Sequence, residues 1–157
     1  MKYYLEIEEK AIGKSRPRFN YRTKTTYTPS KTKNFEELVR WNFRNKYNVE
    51  LEASYKPFIA KITAIYTPPK STGKKKLQEL IGTPYTKKAD IDNVVKLILD
   101  ALNGLAYKDD AQVYKLYAEQ IYGEKDKIIV ELEEIWKDYV VCVDKQRKKQ
   151  IFIIVNQ

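Results

Sequence analysis

Two pairs of aspartates have the residue type and spacing to do chemistry. Asp90 and Asp92 bracket Ile91 where an apolar-periodic run begins, and Asp109-Asp110 follow just past its end. Each pair alone has an ordinary reading. Asp at a helix N-cap or first turn is favoured by the free backbone N–H groups and the macrodipole. Lys96, four residues after Asp92, suits a surface ion pair, and Asp-Asp suits a turn. The combination points further. Two carboxylates at a helix start and two more returned by a short connection could bring three to one place. Three carboxylates suit a hard octahedral cation, Mg²⁺ or Mn²⁺, better than any thiol or imidazole metal.

The rest of the composition narrows that chemistry. The chain has 157 residues, no His, one Cys and a formal charge of +9. Without His there is no His general base, no His metal ligand and no Ser-His-Asp or Cys-His pair. A single Cys, Cys142, excludes an intrachain disulfide and a thiolate cluster; in a β-prone run it reads as a buried thiol. A charge of this size predicts affinity for nucleic acid or another polyanion. Hydrolysis of a phosphodiester here would need a metal to lower the pKa of the attacking water, and carboxylates are the abundant ligands.

The elements that must position these acids are legible. Ile91, Val94, Val95, Ile98, Leu99 and Leu102 share one helix face, with Asp92, Asn93, Lys96, Asp100 and Asn103 opposite. Asp90 stands at the N-cap position, and Asn103-Gly104 is a stop signal. Asp100 reads as helix surface or a dimer contact.

Residues 87–113 also carry a resemblance. A-D-I-D-N-x-x-K, then L-D-A-L-N-G, then Y-K-D-D-A-Q-V is similar to the signature of the RusA-type endonucleases, phage- and prophage-borne Holliday junction resolvases. The likeness is dense here and looser over most of residues 1–136. It implies DNA recombination and repair, a homodimer, and Mg²⁺-dependent hydrolysis leaving a 5′ phosphate and a 3′ hydroxyl. On this reading Asp90, Asp92 and Asp110 are catalytic metal ligands. Asp110 rather than Asp109 matches the family's catalytic acid, and Lys96 contacts the phosphate or holds the water.

Residues 11–35 contain no acid, but hold Lys14, Arg16, Arg18, Arg22, Lys24, Lys31 and Lys33 interleaved with Phe19, Tyr21 and Tyr27. Such a run can be a solvated loop. Seven cations without counter-charge are better explained by phosphate contacts, with rings packing on base or sugar. Gly13, Pro17 and Pro29 favour a loop or loose hairpin. Lys74, Lys75 and Lys76 open a short helix in residues 68–86, a stretch expected to be mobile. With Lys87 and Lys88, just upstream of Asp90, they are expected to flank a DNA strand, although a solvated insertion would look the same.

Elsewhere, alternation predicts a strand in residues 1–10 and another from Pro57 to Thr67, and Thr32 is a candidate cap for a helix over 32–48. Val113 to Tyr122 and Lys127 to Glu134 read as a hairpin joined at Gly123. Tyr139 to Val143 and Ile151 to Val155 are β-prone around a basic tip. Residues 137–157 are thus expected as an extension packed on the same domain or at a dimer interface. The expectation is one α+β domain, with a mixed sheet of four to six strands and two main helices. No apolar run follows the start and none is long enough to span a bilayer, which points to the cytoplasm and no membrane partner. Three functions compete: a resolvase of four-way junctions, a nuclease on flaps, forks or other branched DNA, and a non-catalytic nucleic-acid binder. A pure binder gains nothing from carboxylates aimed at phosphates.

Overall fold

The computed structural model describes residues 1–47, 52–87, 89–135, 139–144 and 149–154. The strands are β1 (Lys2–Ile7), β2 (Arg18–Asn20), β3 (Thr25–Tyr27), β4 (Phe58–Tyr66), β5 (Val113–Tyr122), β6 (Lys127–Glu134), β7 (Tyr139–Asp144) and β8 (Lys149–Ile154). The helices are α1 (Ser30–Tyr47), α2 (Lys74–Leu80) and α3 (Ile91–Leu102), with a 3-10 turn at Asp110–Gln112. A four-stranded mixed sheet has the order β1-β6-β4-β5, and β2-β3 and β7-β8 each form a two-stranded sheet. The expected α+β architecture is what the chain adopts.

β4 occupies the interior of the sheet because it is the most apolar strand. Phe58, Ala60, Ile62, Ala64 and Tyr66 are buried, and so is Thr63 on the opposite face. It pairs antiparallel with β6 and parallel with β5. The hairpin expected between β5 and β6 is therefore corrected: β4 lies between them. The link from β5 to β6 crosses the end of β4, where the Gly123 N–H donates to the Tyr66 carbonyl at 3.0 Å. A Cβ at Gly123 would overlap the Ile65 side chain, so glycine permits that crossing.

The core lies between this sheet and α1 and α3. Across β1 and β6, Tyr3, Leu5 and Ile7 pair with Leu132, Val130 and Ile128, all buried. α1 contributes Phe35, Val39 and Phe43, and Phe43 packs on Tyr3 at 5.2 Å between ring centroids. Thr32, expected as the cap of α1, is instead buried within its first turn. In α3, Leu97 and Ala101 join the buried residues, whereas Ile91 at the first turn is exposed. The helix is thus buried on more than one stripe, and its polar residues are confined to a narrow face.

Residues 82–85, within the stretch expected to be mobile, dock on the end of β5. The Tyr85 N–H donates to the Gln120 carbonyl at 2.9 Å, and Tyr122 N–H to the Thr83 carbonyl at 2.9 Å. β7 and β8 pair antiparallel, with Cys142 opposite Ile151. The basic tip at 145–148, Val155 and Lys88 lie outside the described residues.

Candidate active site

The narrow polar face of α3 carries the candidate chemistry. Asp92, Lys96 and Asp100 stand at four-residue intervals and so form one line along it. Asp92 and Lys96 are exposed and Asp100 is half-buried. Asp90 occupies the N-cap, but its side chain makes no capping hydrogen bond. Asn93 Nδ2 approaches Asp90 Oδ2 at 3.5 Å, the limit of a hydrogen bond.

The acidic turn before β5 divides its two aspartates by task. Asp109 Oδ1 accepts from the Ala111 N–H at 2.9 Å, and the Asp109 N–H donates to Gln112 Oε1 at 3.0 Å, a reciprocal capping box. Gln112 Nε2 also donates to the carbonyls of Ser54 at 2.9 Å and Lys56 at 2.8 Å. Asp109 is thereby committed to the turn, and Gln112 ties the turn to the chain entering β4. Asp110 faces Asp100. Burial pushes the Asp110 carboxyl above its ordinary value, and the charges of Asp100 and Asp109 push it the same way.

The three acids expected to converge are therefore not gathered at one point. Asp110 meets Asp100, and Asp92 lies eight residues, or about 12 Å of helical rise, back along α3. Among the described residues no group of three or more His, Cys, Asp or Glu side chains is placed to hold a metal ion. The chemistry of the donor set suits one all the same: a half-buried carboxyl that burial and two neighbouring carboxylates push above its ordinary value is the state that a divalent cation reverses. Asp100, read from the sequence as helix surface or a dimer contact, is half-buried and faces Asp110. The four-residue spacing from Asp92 through Lys96 is the signal that could have placed it.

Lys14, expected on DNA, has its ammonium between Asp100 and Glu36, the latter at 3.2 Å. Burial alone would lower the Lys14 pKa; the two carboxylates outweigh it and raise it. Its N–H donates to the Asn93 carbonyl at 2.9 Å, and Gly13 packs against Asn93 Cβ. Lys14 thus roots the basic loop on the acidic face of α3. Lys14→Met should cost about 1–2 kcal/mol in denaturant unfolding, because two partly buried carboxylates lose their counter-charge.

Beyond that root, exposed Arg16 leads into a short hairpin of β2 and β3 that carries Arg18, Arg22 and Lys24, also exposed. None has an ion-pair partner among the described residues. Phe19, Tyr21 and Tyr27 are also exposed, with Phe19 and Tyr21 in edge contact at 5.1 Å. Lys74, Lys75 and Lys76 form the exposed start of α2, which buries no residue, and Lys87 is exposed. No described helix is long and apolar enough to cross a membrane.

A mixed sheet backed by two helices, with carboxylates along one helix face beside a basic hairpin, makes this an α+β domain. The family model for Endodeoxyribonuclease RusA matches residues 9–133, and the chain belongs to that family of DNA-cleaving enzymes. A curated relative, "Uncharacterized protein YqaN" of Bacillus subtilis (strain 168), is 40% identical over 77 residues, covering 45% of this chain and 54% of that protein. The chain spans about half the length of that relative.

Proposed function

We propose that this protein is a metal-dependent endodeoxyribonuclease that resolves four-way DNA junctions by paired, symmetrical nicks in recombination and repair. The observation that carries the proposal is the facing pair Asp100–Asp110 on the polar face of α3, beside an exposed basic hairpin in a chain of formal charge +9. Asp110 with Asp100 at one end of the α3 face, and Asp90 with Asp92 at the other, are two separate carboxylate pairs, each of which would hold its own Mg²⁺, or Mn²⁺ in its place. When bound, the ion would lower the pKa of the attacking water and offset charge on the phosphorane.

The chain's own groups do the rest. Lys96 stands between the two acidic ends and meets a phosphate oxygen with its ammonium. Arg16, Arg18, Arg22 and Lys24 hold the flanking backbone, with Phe19, Tyr21 and Tyr27 against base or sugar. Lys74, Lys75, Lys76 and Lys87 guide a strand towards the first turn of α3. A C2 homodimer would match the near-twofold symmetry of a four-way junction. The exposed Tyr114, Leu116 and Tyr117 on edge strand β5, and exposed Trp41 on α1, supply apolar surface for a second copy.

Asp90→Asn tests this reading. It should reduce cleavage by at least about 10²-fold, the scale of losing one electrostatic contributor to a transition state, while keeping or tightening junction binding as a negative charge is removed. Equal cleavage by wild type and Asp90→Asn would remove Asp90 from the site. Junction binding by a wild type that never cuts would make the protein a binder.

A further inference from the structure

The residue before Asp90 has an unusual backbone. Ala89 has φ +128°, a region that L side chains rarely adopt. Its carbonyl accepts from Gln120 Nε2 at 2.9 Å. The same amide nitrogen lies 3.2 Å from the Tyr66 hydroxyl, and its two hydrogens serve both acceptors. Both are well fixed. Tyr66 is buried at the end of β4 and stacks on Tyr85 at 4.0 Å, with the rings 18° from parallel. The Gln120 backbone is held from the other side by the Tyr85 N–H. Gln120 therefore ties the strained peptide to the rigid end of the sheet.

The consequence falls on Asp90. Its carbonyl accepts from the Val94 N–H at 3.1 Å, as an N-cap should, while its carboxylate makes no cap bond. An Asp at this position ordinarily turns its side chain onto the free N–H groups of the first turn. We propose that Gln120 is a positioning residue: by holding the Ala89 carbonyl it fixes the peptide that enters Asp90, and so sets where the uncommitted Asp90 carboxylate stands for substrate and metal. The inference rests on the reading of Asp90 as a site acid. Without the Gln120 amide, the Ala89–Asp90 peptide is free to turn, Ala89 can leave positive φ, and the Asp90 carboxylate loses its fixed place.

Gln120→Met keeps length and packing but removes the donor, and Gln120→Lys restores an N–H donor on a chain of similar reach. For junction cleavage, Gln120→Met should lower kcat about tenfold or more, the cost of a misplaced group, with KM for DNA little changed. Gln120→Lys should regain most of it. Ala89→Gly removes the strain, so Gln120→Met should cost less in that background. A thermal-unfolding cycle over wild type, Gln120→Met, Ala89→Gly and the double variant needs no activity. Gln120→Met should lower Tm by about 4 °C in the wild-type background and by clearly less alongside Ala89→Gly. An unchanged kcat and Tm, or equal losses with and without Ala89→Gly, would overturn the proposal. If wild type cuts no DNA with Mg²⁺ or Mn²⁺, the nuclease reading fails, and the unfolding cycle still decides the role of Gln120.

Discussion

Asp110→Asn is expected to reduce junction cleavage by about 10²–10³-fold and, with metal removed, to raise the unfolding temperature. The two effects share a cause. Asp110 is the acid of its turn that is not spent on capping, and burial together with Asp100 and Asp109 makes its ionised form costly. Because the folded-state pKa lies above the ordinary 3.8, the folded protein binds this proton more firmly than the unfolded chain. Stability of the metal-free protein therefore falls as pH rises from the ordinary value through the raised one, and stays lower at neutral pH. Asn removes that penalty together with the ligand. Thermal unfolding in EDTA across this pH range should show wild type losing stability as pH rises and Asp110→Asn losing less. Adding Mg²⁺ should stabilise wild type more than the variant. A variant less stable than wild type at neutral pH in EDTA would contradict the assignment.

Gln112→Ala is the second large expectation. Its side chain joins the Asp109 N–H, the Ser54 carbonyl and the Lys56 carbonyl in one half-buried position. Truncation leaves all three without this partner and should cost about 2–3 kcal/mol in denaturant unfolding. Asp110 then rides on a turn no longer fixed to the entry of β4, so kcat should fall at least about tenfold. Loss of stability with kcat unchanged would show that the turn holds its shape without Gln112.

Much of this arrangement was legible because local chemistry and tertiary structure agree. The α3 periodicity, the Asp90 cap position and the Asn103-Gly104 stop all correspond to the helix Ile91–Leu102. The strands β1, β4, β5 and β6 follow their alternation or their ends. What was not legible is non-local. Nothing local to Val113–Glu134 says that β4 inserts between its two strands; that depends on how apolar β4 is and on Gly123 passing the Ile65 side chain. The positions of Lys14 and Asp100 were missed for a related reason. A lysine in a basic loop looks free for phosphate, and an aspartate on a helix surface looks solvated, until the loop is placed on the helix. The D-x-x-Q spacing of Asp109 and Gln112, by contrast, is a local capping pattern that the sequence displays.

The most direct test of the central claim is cleavage of an end-labelled synthetic four-way junction in Mg²⁺ and in EDTA, beside linear duplex and flap substrates. The account predicts symmetrical paired nicks, only with metal and mainly on the junction. Equal cutting of flaps would move the substrate to branched DNA in general. Tight junction binding with no cutting in Mg²⁺ or Mn²⁺ would contradict the account.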